Sequence, residues 1–261
     1  YLRALSIREK ALGPEHRDTA NSLNSLAVLY HDQELYSKAE ALYLRSLQIY
    51  ETALGPEHRD TAQSLKNLAF LYDNQGLYSK AETLYLRVLS IRENALGPEH
   101  RDTAQSLNSL ALLYHDQGLY SKAEPLLLRA LSIREKALGP EHRDTATCLN
   151  NLAFLYDNQG LYSKAEPLYL RALSIREKAL GPEHRDTAIS LNSLAVLYHN
   201  QGHYSKAEPL YLRVLSIREN ALEPEHRDTA QSLNNLAQLY KMQGLYSKAE
   251  PLYLRALSIR E

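Results

Sequence analysis

The sequence contains one cysteine, Cys148, one methionine, two phenylalanines and no tryptophan. A lone cysteine excludes a disulfide framework or a thiolate metal site within one chain. Neither sign of charge dominates, since 30 Lys and Arg stand against 31 Asp and Glu. That balance lacks the basic footprint expected of a nucleic-acid or anionic-membrane binder. No apolar run approaches the length of a membrane span, and no signal-peptide pattern opens the chain. The expectation is no nucleic acid, no membrane and a reducing, cytoplasmic compartment.

What is present is repetition. The stretch LGPEHRDTA, Leu12 to Ala20, returns at Leu54, Leu96, Leu138 and Leu180, and in altered form as LEPEHRDTA at Leu222, always 42 residues on. Self-similarity at such a period marks a stacked-repeat architecture. The chain therefore reads as one solenoid over 1–261, with units at 12–53, 54–95, 96–137, 138–179, 180–221 and 222–261 and a partial second helix at 1–11. Tyr1–Glu9 has the same text as Tyr253–Glu261, so the chain is expected to begin and finish inside the same element of a longer array. The packed run Glu15, His16, Arg17, Asp18 recurs in six copies. One catalytic pocket needs one constellation, so the run reads as a joint between units.

Within the first unit, Gly13 ends a helix and Pro14 prevents its resumption. Asp18 or Thr19 is expected to cap helix A, running from about Thr19 to Gln33 with a core stripe of Leu23, Leu26, Ala27 and Tyr30. The second joint is GLYSKAEPLY, as in Gly160 to Tyr169, with Glu34 in place of the first glycine in one copy. Ser121 and Glu124 read as a capping box. Helix B is expected over about Lys38 to Ala53, with Pro125, Pro167, Pro209 and Pro251 just inside it and an apolar face of Ala39, Leu42, Tyr43, Leu47, Ile49 and Ala53. Leu44 and its copies fall on the outer side, either packed between B helices or exposed.

These residues resemble the tetratricopeptide repeat: Ala27 and Tyr30 in helix A, Tyr36 at the turn, Ala39 and Tyr43 in helix B. The 42-residue form with LGPEH between units is similar to the longer repeats of kinesin light chain-type proteins, with Arg17 standing where that family commonly has proline. The resemblance implies an all-α fold, a right-handed superhelical α-solenoid of helix-turn-helix repeats. Its A helices would line a concave groove that binds peptides or partner proteins.

Differences between the copies are informative because they are few. Leu96–Ala137 and Leu138–Ala179 differ at seven positions, six of them in helix A. Across all units, helix A varies most at the positions of Asn21, Ser25, Val28, His31 and Asp32, opposite the core stripe. Helix B varies mainly at the positions of Ala41, Ser46 and Thr52, whereas Lys38, Glu40 and Arg45 are unchanged in every copy. Free drift of exposed positions would scatter evenly over both helices; weighting toward one face of helix A fits a binding surface. Asn24, Asn108, Asn150, Asn192 and Asn234, with Lys66 as the exception, form a polar row whose amides suit the N–H and C=O of an extended peptide. Beside it run the apolar Val28, Phe70, Leu112, Phe154 and Val196, with Gln238 in the last unit. His31, Asp73, His115, Asp157 and His199 complete the candidate groove.

His16, His58, His100, His142, His184 and His226 lie a helix pair apart, too far to share a metal. Neither metal nor other cofactor is expected, and no oxyanion site or pocket attends any Asp–His pair, so catalysis is not expected. The nineteen tyrosines read as interface packing rather than base stacking. With Lys66 the only base in its row, a neutral, partly apolar peptide suits the groove better than an acidic terminus. The expected function is a non-enzymatic protein-interaction scaffold. The alternative is a structural spacer that stacks head-to-tail through uncapped ends.

Overall fold

The computed structural model describes residues 2–221 and 225–259, and among these it contains thirteen α-helices and no strand. A first helix, α1 (Leu2–Leu12), precedes six hairpins. They are α2 (Arg17–Asp32) with α3 (Tyr36–Leu54), α4 (Arg59–Asn74) with α5 (Tyr78–Leu96), and α6 (Arg101–Asp116) with α7 (Tyr120–Leu138). Then follow α8 (Arg143–Asn158) with α9 (Tyr162–Leu180), α10 (Arg185–Asn200) with α11 (Tyr204–Ala221), and α12 (Arg227–Met242) with α13 (Tyr246–Ser258). The fold is an all-α array of helix-turn-helix repeats. It divides into two compact units, Tyr1–Ile133 and Arg134–Glu261, the division falling inside α7. In the first unit α3 packs on both α2 and α4, and α5 on both α4 and α6; in the second, α9 packs on α8 and α10, and α11 on α10 and α12. The altered joint at Leu222, Glu223 and Pro224, and parts of the repeated Tyr1–Glu9 and Tyr253–Glu261 text, lie outside the described residues.

Helix A begins two residues earlier than expected, because its cap is the histidine. His16 is in extended geometry (φ −79°, ψ 143°) and its Nδ1 accepts the backbone N–H of Asp18 at 3.1 Å. His58, His100, His142, His184 and His226 do the same. The imidazole satisfies one of the orphan donors of the first turn, the task usually performed by Ser, Thr, Asp or Asn. Thr19 is not a cap: it is buried inside the helix, and its hydroxyl donates to the Gly13 carbonyl at 2.8 Å. The invariant HRDT text is thus a cap and a clasp.

At the other joint the chain closes in a Schellman arrangement. The N–H of Leu35 reaches the carbonyl of Tyr30 at 2.8 Å, and that of Glu34 reaches His31 at 2.9 Å. This geometry requires a left-handed residue between the helices. Gly76 supplies it at φ +70°, whereas Glu34 adopts φ +59° against the preference of an L side chain. Helix B then starts at Tyr36 behind Leu35, which makes no side-chain cap hydrogen bond; the same holds for the caps of α5, α9 and α13. The expected capping box is therefore absent where those caps are defined, and Ser121 lies within the first turn of α7. The earlier start also places Pro167 sixth in α9, beyond the first turn, where its missing N–H leaves the Ser163 carbonyl without its helical partner.

The core forms between the hairpins as the helical spacing predicts. Leu23, Leu26, Ala27, Ala39, Tyr43 and Ile49 are buried, and so are the same positions in the copies that follow, except that Tyr253 and Ile259 of the last copy are half-buried. Tyr30 and Leu42 are half-buried, and Ala53 is exposed rather than in the core. Leu44, Leu86, Leu128, Leu170 and Leu212 stay exposed and do not pack between B helices.

Candidate functional site

The unchanged positions of Lys38, Glu40 and Arg45 in helix B explain themselves first. Tyr72 donates its hydroxyl to Glu40 of the preceding hairpin at 2.7 Å, while Lys80 of its own hairpin stands 4.9 Å from the centre of its ring. Tyr114 with Glu82 and Lys122, and Tyr198 with Glu166 and Lys206, repeat the arrangement. Arg87 pairs with Glu51 and Arg129 with Glu93, each at 2.7 Å, again from one B helix to the one before. Lys, Glu and Arg are therefore fixed by stacking, which leaves the opposite side of helix A free to vary.

On that side, Val28, Phe70 and Phe154 are 40%, 51% and 42% exposed. Leu112 and Val196 are half-buried, and Gln238 is exposed. All six positions of the polar row, Asn24, Lys66, Asn108, Asn150, Asn192 and Asn234, are half-buried. The asparagines are not simply waiting for a ligand. Asn67 donates to Asn24 Oδ1 at 3.1 Å and receives from Gln63 at 2.9 Å, and Asn235 donates to Asn192 Oδ1 at 3.0 Å. With those carbonyls engaged, what Asn24 and Asn192 offer a peptide is the NH2 donor. Asn150 differs, because its Oδ1 is buried without a hydrogen-bond partner.

The last column of expected residues is less open. His31 and Asp157 are buried, each 8% exposed, while Asp73, His115 and His199 are half-buried. His31 Nε2 lies 2.7 Å from Asn74 Nδ2, and its ring lies 5.2 Å from that of Phe70. Burial holds the His31 imidazole below its ordinary value against the pull of Asp32, and burial alone does so for His199. Burial raises Asp157, opposed by a hydrogen bond from Asn200. These side chains form the wall under the surface.

One cavity gathers the expected residues. Between α4 and α6 in the first unit, Lys66, Phe70, Asp73 and Leu112 line a space of about 370 Å³ together with Tyr85 and Asp116. Burial, then the nearby Asp116 carboxylate, push the Asp73 carboxyl up to about 6. Tyr85 is raised by burial and by both carboxylates. Burial, then Arg92, lower the Lys66 ammonium, opposed by Asp102. Asp116 Oδ1 is 2.9 Å from His115 Nδ1. Asp116 was within reach of the sequence, because it occupies the variable position of Asp32; Tyr85 was not, since it arrives from a B helix.

The loop histidines serve as caps, and among the described residues no group of three or more His, Cys, Asp or Glu could hold a metal ion. Among the same residues no helix is long and apolar enough to cross a membrane.

Hairpins joined by recurring clasps, with variation concentrated on one face of helix A, define a repeat scaffold. The tetratricopeptide repeat model matches residues 1–52, 24–94, 60–136, 102–178, 158–220 and 206–261, and the chain belongs to that family. Tetratricopeptide repeats are generally non-enzymatic scaffolds that bind protein partners. The chain is similar to BtubC (BKLC) from P. vanneervenii, with 28% identity and a TM-score of 0.71 over 86% of this chain and 91% of that one. It is also similar to a putative kinesin light chain of nearly identical TPR-like repeats from Podosopora anserina, at 27% identity and a TM-score of 0.64, covering 80% and 99%. RapI in its apo form shares the fold, with a TM-score of 0.73 at 18% identity over 99% of this chain and 90% of that one. No curated protein sequence matches the chain.

Proposed function

We propose that this protein is a scaffold that holds an extended peptide segment of a partner protein on the variable face of its A helices. In the first unit these are α2, α4 and α6; in the second they are α8, α10 and α12. The observation that carries the reading is the cavity between α4 and α6. It combines a half-exposed Phe70, the adjoining Leu112 and a few polar side chains, the composition expected of a recognition pocket. Amide donors from Asn24 in the first unit and from Asn192 in the second would meet peptide carbonyls, while Val28 and Phe70, or Phe154 and Val196, would underlie peptide side chains. The helix B clasps keep the backbone of this face rigid, which lowers the ordering cost of binding.

A random-peptide display selection tests the reading, with the double variant Phe70→Ala, Leu112→Ala as counter-target and its helicity checked by circular dichroism. Peptides enriched on the parent and lost on the variant are expected. Equal enrichment on both, with both folded, would refute it.

A further inference from the structure

The step from α4 to α6 carries a feature that the other described steps within each unit lack. At the ends of successive A helices, one residue of each helix meets one of the next. His31 meets Asn74 in the first unit, and Asp157 meets Asn200 in the second. Between α4 and α6 the two are Asp73 and Asp116, so carboxylate faces carboxylate across a cavity of about 370 Å³. No ion pair neutralises Asp73 among the described residues, and its shift is driven upward by burial and by the second carboxylate. Two like charges sharing a partly desolvated site repel, and a cation placed between them relieves both. The cavity's own base does not reach that end. Lys66 lies two helical turns before Asp73, a rise of roughly 10 Å, with Phe70 and Leu112 between.

We propose that this cavity is a specificity pocket for a basic side chain of the bound segment. That segment presents an apolar residue to Phe70 and Leu112 and, two residues along, a lysine or arginine to Asp73 and Asp116. The inference rests on the reading of the A-helix face as a peptide groove. Its spacing follows from geometry. Alternate side chains of an extended chain stand on one face about 7 Å apart. On α6 the rise from Leu112 to Asp116 is about 6 Å. A neutral occupant would leave the carboxylates opposed, and an acidic one would add a third negative charge.

The test uses two pools of labelled nine-residue peptides, with leucine fixed at the fourth position and either lysine or glutamine at the sixth, the rest randomised over neutral residues. Each pool is titrated with the protein by fluorescence anisotropy. The lysine pool is expected to bind the parent at least about tenfold tighter than the glutamine pool, as a charge-assisted contact allows. In the double variant Asp73→Asn, Asp116→Asn, that advantage should vanish while glutamine-pool binding persists. Asparagine already stands at the position of Asp116 in other copies, as Asn74, Asn158 and Asn200, so the fold accommodates it. Two results would overturn the pocket and leave the groove standing: equal affinities on the parent that are still lost in Phe70→Ala, Leu112→Ala, or a lysine preference that survives the double variant. Binding by neither pool would overturn both the pocket and the groove.

Discussion

Arg176 Nη1 donates to Ser190 Oγ at 2.8 Å, joining the end of one hairpin to the start of the next. Arg8 with Ser22, Arg92 with Ser106 and Arg218 with Ser232 form the same bond. Two steps break the pattern from opposite sides. Tyr50 stands in the arginine position and leaves Ser64 Oγ buried without a partner, while Cys148 stands in the serine position. Arg134 there turns to Asp144 Oδ2 at 2.6 Å, and its Nε is buried without a partner.

The two serines therefore give opposite answers to one substitution. Ser190→Ala removes an acceptor from a buried guanidinium and is expected to cost about 1 to 3 kcal/mol. Ser64→Ala removes an unsatisfied hydroxyl and should be neutral or stabilising by up to about 1 kcal/mol. Urea midpoints of the two variants decide it; similar losses in both would contradict the arginine–serine account.

Cys148→Ser restores the missing acceptor. A charge-assisted bond to Arg134 outweighs the smaller apolar burial, so a gain of about 1 kcal/mol is expected, with Cys148→Ala as the control that gains nothing. In the parent, burial pushes the thiol up to about 11, so alkylation at neutral pH should track unfolding. Rapid labelling of the native protein would contradict this burial.

Glu34→Gly replaces the one non-glycine residue with positive φ among the described residues. Relief of left-handed strain, less the entropy a glycine adds to the unfolded chain, gives an expected gain of about 0.5 to 1 kcal/mol. Thermal melts would show it as a higher midpoint; a lower one would mean that the Glu34 side chain has a stabilising role of its own.

Asp73 should make stability depend on pH. An unfolded aspartate titrates near 4, roughly, whereas the folded carboxyl is raised to about 6. The folded form thus holds the proton more tightly, a contribution present below pH of about 4 and lost as pH rises through about 6. Asp116 faces this group from α6 with His115 Nδ1 2.9 Å from its Oδ1, a contact that the amide oxygen of asparagine can keep. Tyr85 lies against Asp73 from α5, and Lys66 is farther along α4. Asp116→Asn removes the like charge, so it should match the parent near pH 4 and exceed it at pH 7 by about 1 kcal/mol after solvent screening. Parallel stability curves for the two proteins would rule out the repulsion.

The helices were legible because their apolar spacing is repeated six times: Leu23, Leu26 and Ala27 sit in the core where a single helical wheel places them. The caps were harder to read. Histidine is an uncommon N-cap, so Asp18 and Thr19 drew the assignment that belongs to His16. Phe70, Leu112 and Lys66 were legible from their departures between copies, and they do share a cavity. The burial of His31 and Asp157 was not, because a wheel treats one helix alone, whereas Asn74 and Asn200 of the following helices pack against them. Likewise, the asparagine row advertised free amides until Asn67 and Asn235 were seen to occupy two of its carbonyls.

The clasps between hairpins have a consequence for the length of the array. In the first unit the α2–α3 hairpin offers Glu40 to Tyr72 and Glu51 to Arg87 of the next, and that hairpin in turn offers Glu82 to Tyr114 and Glu93 to Arg129. Excision of residues 54–95 would bring Tyr114 to Glu40 and Arg129 to Glu51, partners identical in kind to Glu82 and Glu93. In these two clasps the seam left by such a cut is chemically the one that was there already, although His31 would then face Asp116 in place of Asn74. Whole copies can thus be gained or lost with both clasps re-formed, without a new pairing of glutamate with tyrosine or arginine having to be invented.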